Sequence, residues 1–258
     1  VYKRQSFSDG TYSTLKIDHS DTSGLLKLLN GANAAMLGLA GDNLRFYILN
    51  SEAMRLTSTG LGIGTSSPSQ KLDVNGDASI YGVRVGRGAG AVSTNTVLGS
   101  SALQSNTTGA TTVAIGFNTM TGVNTGADNV AVGAYSLSLN TSGAENVAIG
   151  RSTMGSNTTG SQNVAIGRAA LNSNTTGSYN TAIGHSALQL NTTSSNSTAV
   201  GYQAGYNTNA PTNSFFGAQA GYSNTIGSTL AAFGYRAAYS STSADYVSAF
   251  GYQASYSN

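Results

Sequence analysis

A single recurrence constrains this chain more than any other feature. Between Asn146 and Leu188 the sequence reads NVAIGRSTMGSNTTGSQNVAIGRAALNSNTTGSYNTAIGHSAL, nearly the same phrase three times. The glycines that close each AIG-like phrase are Gly99, Gly116, Gly133, Gly150, Gly167, Gly184, Gly201, Gly217, Gly234 and Gly251. They are spaced by 17 residues eight times and by 16 once. Only a stack of equivalent turns gives a chain reason to keep such a register, and the period is shorter than the units of helical solenoids. Ten coils of one 17-residue unit therefore fill residues 95–258, and the short β-branched segments punctuated by glycine read as strands and turns.

The apolar positions suggest how a coil closes. Val147-Ala148-Ile149, Val164-Ala165-Ile166 and Thr181-Ala182-Ile183 precede their glycines. Three consecutive apolar residues in a strand put apolar atoms on both of its faces. One face fills the coil. The other needs cover, and the sequence offers no helix to supply it. Further copies of the same chain are the expected cover, most simply as a homotrimer. Ala165 is placed on a tightly packed face, where a large residue would block assembly. A second apolar column, Leu103, Met120, Leu137, Met154, Leu171 and Leu188, is expected as a second strand closing a thin core. The turns Asn106–Gly109, Asn157–Gly160 and Asn174–Gly177 read NTTG. Their glycines are expected to supply positive φ, and their Asn and Thr side chains to bond from coil to coil. With coils about 4.8 Å apart, ten make a stack on the order of 48 Å long.

The pattern changes after Gly201. The Leu/Met column becomes Gly205, Gly221, Ala238 and Ser255, and Tyr206, Tyr222, Tyr239 and Tyr256 follow it. The position before each anchor glycine becomes Val200, Phe216, Phe233 and Phe250, and Tyr202, Tyr235 and Tyr252 come just after. The preferred reading is a wider cross-section filled by stacked rings. The alternative makes Tyr202, Tyr235 and Tyr252 a surface ladder that binds sugar.

The phrases NVAIGRSTM, NVAIGRAAL and NTAIGHSAL resemble the head repeats of YadA-like trimeric autotransporter adhesins. That resemblance covers residues 95–258 and implies left-handed parallel β-rolls trimerised side by side, although the family unit is usually shorter than 17 residues. A second phrase, TGLGIGTSSPSQKLDVNGDASIYG at Thr59–Gly82, resembles a segment of bacteriophage tail fibres. In such fibres it often precedes an endosialidase-type chaperone domain that assembles the trimer and cleaves itself away. The resemblances imply an extracellular setting, on a virion tail fibre or on a bacterial cell surface. They also imply a host-surface glycan or protein as partner.

The preceding residues differ in character. Nine of the twelve Lys and Arg lie before residue 95. Residues 1–57 read as a β-rich module that trimerises, with Leu15 and Ile17 alternating in one strand. In another, Leu44, Phe46 and Ile48 oppose Arg45, Tyr47 and Leu49. GLLKLLNGANAAMLGLAG is ambiguous between strand and short helix, and its glycines favour strands. Residues 58–94, rich in Gly and Ser, read as an extended connector. The chain starts at Val1, as a fragment or processed piece would.

Catalytic chemistry finds little material. A formal net charge of +2 gives no electrostatic case for nucleic acid. No stretch approaches the roughly 20 apolar residues of a spanning helix, and the absence of cysteine excludes disulfides and thiolate metal sites. The histidines are His19 and His185. His185 shares its column with Phe117, Ala134, Arg151, Arg168 and Tyr202, which marks an outward position. The acids of the array, Asp128, Glu145 and Asp245, offer no pair at glycosidase spacing. No nucleophile elbow, dinucleotide fingerprint, P-loop or calcium nonapeptide occurs. No catalytic, cofactor or metal residues are therefore assigned. The sequons within NTTG are read as turn chemistry. An ice-binding face is disfavoured, because Thr107 and Thr108 are adjacent and diverge in an extended strand. The reading is an all-β, homotrimeric, non-enzymatic fibre segment of a phage tail fibre, with a bacterial trimeric adhesin as the alternative and a glycan-degrading tailspike, which would need a carboxylate pair, as a weaker one.

Overall fold

The computed structural model describes residues 23–30, 33–40, 43–48, 51–243 and 245–256. Leu15, Ile17, His19 and Leu49 lie outside them. Two compact units divide at Gly76/Asp77. This boundary falls within residues 58–94, the segment expected as a connector. That segment carries four short strands, two in each unit.

The first unit is a six-stranded sheet: β1 (Ser23–Asn30), β2 (Asn33–Ala40), β3 (Asn43–Ile48), β4 (Ser51–Leu56), β5 (Leu61–Ile63) and β6 (Leu72–Val74). The ambiguous glycine-rich segment forms the antiparallel β1–β2 hairpin. Pairing is antiparallel through β5, and β6 lies parallel to β5. Leu44 and Phe46 face Leu56 and Met54 across the β3–β4 pair, and a bulge after Phe46 shifts the register. Beyond it Ile48 is exposed. Glu52 accepts two bonds of 2.6 Å from Arg55, which hold its carboxyl below the usual range.

The second unit begins with an antiparallel hairpin, β7 (Ala78–Ile80) and β8 (Val83–Gly86), followed by a short 3-10 turn at Ala89–Ala91. β9 (Thr96–Gly99) pairs antiparallel with β8 and opens the repeat array. The remaining rungs are β10 (Val113–Ile115), β11 (Val130–Val132), β12 (Val147–Ile149), β13 (Val164–Ile166), β14 (Thr181–Ile183), β15 (Thr198–Val200), β16 (Ser214–Phe216), β17 (Ala231–Phe233) and β18 (Ser248–Phe250). Each is parallel to the next, with nine in-register pairings between the ten rungs. The array is thus a parallel β-solenoid of about nine turns with one strand per 17-residue coil.

The expected second strand is absent because its residues are left-handed. Leu103, Met120, Leu137, Met154, Leu171 and Leu188 all have φ between 47° and 50°, outside the β region. In the coil that starts at Gly150, positive φ falls on alternate residues: Gly150 (134°), Ser152 (55°) and Met154 (50°). The amides of all three donate to neighbouring coils, to Val132, Ala134 and Ala170. Those bonds hold residues in a conformation that costs a non-glycine residue roughly 1–2 kcal/mol. The anchor glycines have a second reason to be glycine. A Cβ on Gly150 would come within 2.7 Å of the carbonyl of Gly167, one coil on.

The NTTG glycines serve differently from the expectation. Gly109, Gly160 and Gly177 do not have positive φ; what they provide is space. A Cβ on Gly160 would sit 2.6 Å from Asn157 Oδ1 and 2.7 Å from Asn174 Nδ2. These asparagines belong to a buried ladder in which the Nδ2 groups of Asn124, Asn140, Asn157 and Asn174 each donate to the Oδ1 of the preceding member, starting at Asn106. The ladder survives an irregular coil, because the extra residue before Asn124 is offset by a turn one residue shorter. The Thr hydroxyls also bond between coils, Thr141 to Thr158 O and Thr158 to Thr175 O.

A second buried ladder stands immediately before the strands. Asn146 donates from both N and Nδ2 to Asn129 Oδ1, Asn163 does the same to Asn146, and Asn180 to Asn163. The two ladders meet on one acceptor. The carbonyl of Gly160 receives Nδ2 of both Asn146 and Asn157, each at 2.9 Å. Gly143 and Gly177 repeat the arrangement. This polar spine lies inside the coil beside the apolar columns.

Those columns are one side chain thick. The middle residue of every strand points inward and is buried, from Val97 through Ala114, Ala131, Ala148, Ala165, Ala182 and Ala199 to Phe215, Ala232 and Ala249. Ala165 therefore faces the interior of its own coil and is not on a face between chains. Phe215 shows that a large ring fits this column when the opposite column is emptied. A Cβ on Gly205 would lie 2.5 Å from the Phe215 ring, and Gly221 is tighter still. Among the described residues only this ring enters the core; the other aromatic columns lie outside, so stacked rings do not widen the interior.

Two outcomes follow for stability. Phe215→Ala should cost about 3–5 kcal/mol by opening a cavity, and Gly221→Leu alone should clash with the ring. Combined, they should recover most of the loss, as thermal unfolding of the three variants would show. Asn146→Asp should lose both Nδ2 bonds and bury a carboxylate against two acceptors. Burial raises the folded-state pKa of such a group, so the folded form binds the extra proton. Stability of this variant relative to the parent should then fall as pH rises from about 4 to 8.

Candidate functional site

With the interior filled by apolar side chains and asparagines, chemistry that meets other molecules must sit on the outward columns. Residues on either side of the buried middle residue of each strand point out. Those just before the anchor glycines form a column that is apolar at all ten rungs: Leu98, Ile115, Val132, Ile149, Ile166, Ile183, Val200, Phe216, Phe233 and Phe250. Every member is exposed or half-buried. Its last three rings stack at 4.8 and 5.0 Å between centroids. On the other outward side of the strand, Val113, Val130, Val147 and Val164 give way to Thr181, Thr198 and Ser214.

The column just after the anchor glycines is chemically mixed. Arg151, Arg168, His185 and Tyr202 follow one another on adjacent rungs, all exposed. Arg168 Nη1 lies 3.4 Å from His185 Nε2, and Ser186 Oγ lies 2.9 Å from His185 Nδ1. The His185 and Tyr202 rings are 5.7 Å apart. His185 is thus an exposed member of an outward column. Tyr202, Tyr235 and Tyr252 are exposed as well. Tyr235 and Tyr252 stack at 5.4 Å, whereas Ala218 separates Tyr235 from Tyr202.

A third column, expected to fill a widened interior, is half-exposed. Tyr206, Tyr222, Tyr239 and Tyr256 stack continuously at 5.2, 5.1 and 5.2 Å. Desolvation, and then the neighbouring phenols, push the Tyr222 hydroxyl pKa up. Between the tyrosine columns lies Arg236, which sequence reasoning passed over. Its guanidinium carbon is 5.1 Å from the centroids of both Tyr235 and Tyr239. Its signal in the sequence was a lone cation in an otherwise uncharged, tyrosine-rich stretch.

The acids do not converge. Asp128 and Glu145 stand exposed on adjacent rungs, and Glu145 accepts a bond from Gln162 Nε2. Asp245 accepts from the amide and hydroxyl of Ser228, which hold its carboxyl below the usual range. Among the described residues no three His, Asp or Glu gather as a metal site would require. Among them, too, no helix is long and apolar enough to cross a membrane. The chain matches no protein family, no curated protein and no solved structure.

His185 has exposed, exchangeable surroundings. His185→Ala should change stability by less than ~0.5 kcal/mol, read as an unchanged thermal midpoint.

Proposed function

We propose that this chain is a structural segment of an extracellular homotrimeric fibre, of the tail-fibre kind, that supports attachment to a host surface. The observation that carries the reading is the apolar column from Leu98 to Phe250, continuous over ten rungs on the outside of a single-layered solenoid. An uninterrupted apolar stripe of this kind is an interaction surface by default. Its period equals the period of the array, so an identical chain laid alongside offers a matching stripe at every rung. The six-stranded sheet of the first unit supports the same reading, because it too leaves Ile48, Leu56, Ile63 and Leu72 exposed. The role is mechanical: the array gives length and stiffness, and the trimer gives each rung three-fold cover.

A bacterial trimeric surface adhesin is the second reading, favoured by the head-like NVAIG repeats. The two differ in what the gene encodes downstream, a self-cleaving chaperone domain for the first or a membrane-anchoring barrel for the second.

Replacing Ile149, Ile166 and Ile183 together by Lys leaves the inward residues untouched. The parent should elute with the mass of a trimer in multi-angle light scattering. The triple variant should dissociate to single chains that retain β-type circular dichroism. A parent that is monomeric at micromolar concentration would refute the proposal.

A further inference from the structure

The aromatic end of the array contains a feature that a fibre shaft does not require. The column Tyr202, Ala218, Tyr235, Tyr252 lacks one ring, at Ala218. Tyr202 and Tyr235 are two rungs apart, about 10 Å at the usual strand spacing. That spacing leaves room for one flat ring roughly 4.8 Å from each tyrosine, over Ala218.

The flank of this gap is polar and pre-organised. Gln203, Gln219 and Arg236 occupy consecutive rungs of the next column. Gln219 Nε2 donates to Gln203 Oε1 at 3.0 Å, and Arg236 Nε donates to Gln219 Oε1 at 2.8 Å. Arg236 is held between the rings of Tyr235 and Tyr239. It is the one Lys or Arg after residue 168, and among the described residues no carboxylate pairs with it. The nearest acid in sequence, Asp245, is bound to Ser228 in a different column.

We propose that the gap over Ala218 is a binding site for a carboxylate-bearing pyranose, such as a uronic-acid unit of a polysaccharide. The proposal stands independently of the fibre reading. A pyranose presents C–H faces to the tyrosines and hydroxyls around its rim to the glutamine amides. Its carboxylate matches the flat, fork-shaped donor set of Arg236. The alternatives match less of the site. An aromatic side chain in the gap would leave the Gln–Arg wall without partners. A nucleotide would bring phosphates to a region with a single cation.

The test uses the whole chain, titrated with a glucuronic-acid oligosaccharide and with the corresponding glucose oligosaccharide. Binding is followed by calorimetry and by intrinsic tyrosine fluorescence, the chain having 14 Tyr and no Trp. The acidic sugar should bind and the neutral one at least tenfold more weakly. Arg236→Gln should remove that preference. Ala218→Tyr should complete the aromatic column and abolish binding of both sugars. Its fold should survive, since Tyr already occupies this column on three other rungs, and an unchanged thermal midpoint checks this. Binding by Ala218→Tyr equal to the parent, equal affinity of the parent for both sugars, or binding of neither, would each overturn the proposal.

Discussion

Everything in the array depends on hydrogen bonds that run between successive coils rather than within one. Val147 N bonds Asn163 O, Gly150 N bonds Val132 O, and Met154 N bonds Ala170 O. A coil by itself satisfies few of its amides. It has one three-residue strand, a core one side chain thick, and several residues in left-handed conformations. Placed between two others it is almost fully bonded around its perimeter. The exact repetition of length follows from this requirement, because a coil of the wrong length would leave buried amides without partners at a cost of about 1–3 kcal/mol each. The departures that occur are locally compensated, as at Asn124, or leave the strand pairing in register, as in the 16-residue step from Gly201 to Gly217.

The interior shows how a narrow solenoid reconciles polar composition with burial. Asparagine is a poor core residue in general, because an unpaired amide in a low-dielectric interior is costly. Here the side-chain amides from Asn106 to Asn174 and from Asn129 to Asn180 meet the copy above or below them, and the two ladders share the carbonyls of Gly143, Gly160 and Gly177. The apolar half follows a parallel rule of conserved volume. From Ala114 to Ala182 the strand column carries alanine and the turn column carries Leu or Met, and the Phe215 ring is accommodated by glycine at both Gly205 and Gly221.

The stacking of equivalent coils was legible in the sequence because identical neighbours must contribute identical residues. The outward position of His185 could be inferred from the variety its column tolerates; the inward sense of the strand could not, since Ala165 reads as packed between chains and faces the interior of its own coil. Backbone conformation was less legible. A Leu or Met column on a period looks the same whether its residues are extended or left-handed, so Met154 and Leu171 read as a strand when they sit in a turn. Gly160 reads as a φ-permissive turn residue when its role is to leave room for Asn157 and Asn174. The ladder through Asn146 and Asn163 was visible in every NVAIG phrase and was passed over, since asparagine beside a strand ordinarily signals its end. By their size the aromatic columns read as interior, although among the described residues only Phe215 has cleared space opposite it. Arg236 gave no periodic signal at all, being present on one rung.

The reach of the inter-coil bonds has a kinetic consequence. A partner 16 to 18 residues away is close along the chain by the standards of sheet proteins, whose pairings commonly bridge most of a domain. Relative to the second unit, such separations correspond to a contact order of about 0.1, in the range of helical bundles. Once a few turns have closed, each further one finds its template already standing next to it. The array can therefore be laid down progressively, in the order in which the polypeptide emerges, without waiting for distant segments to meet.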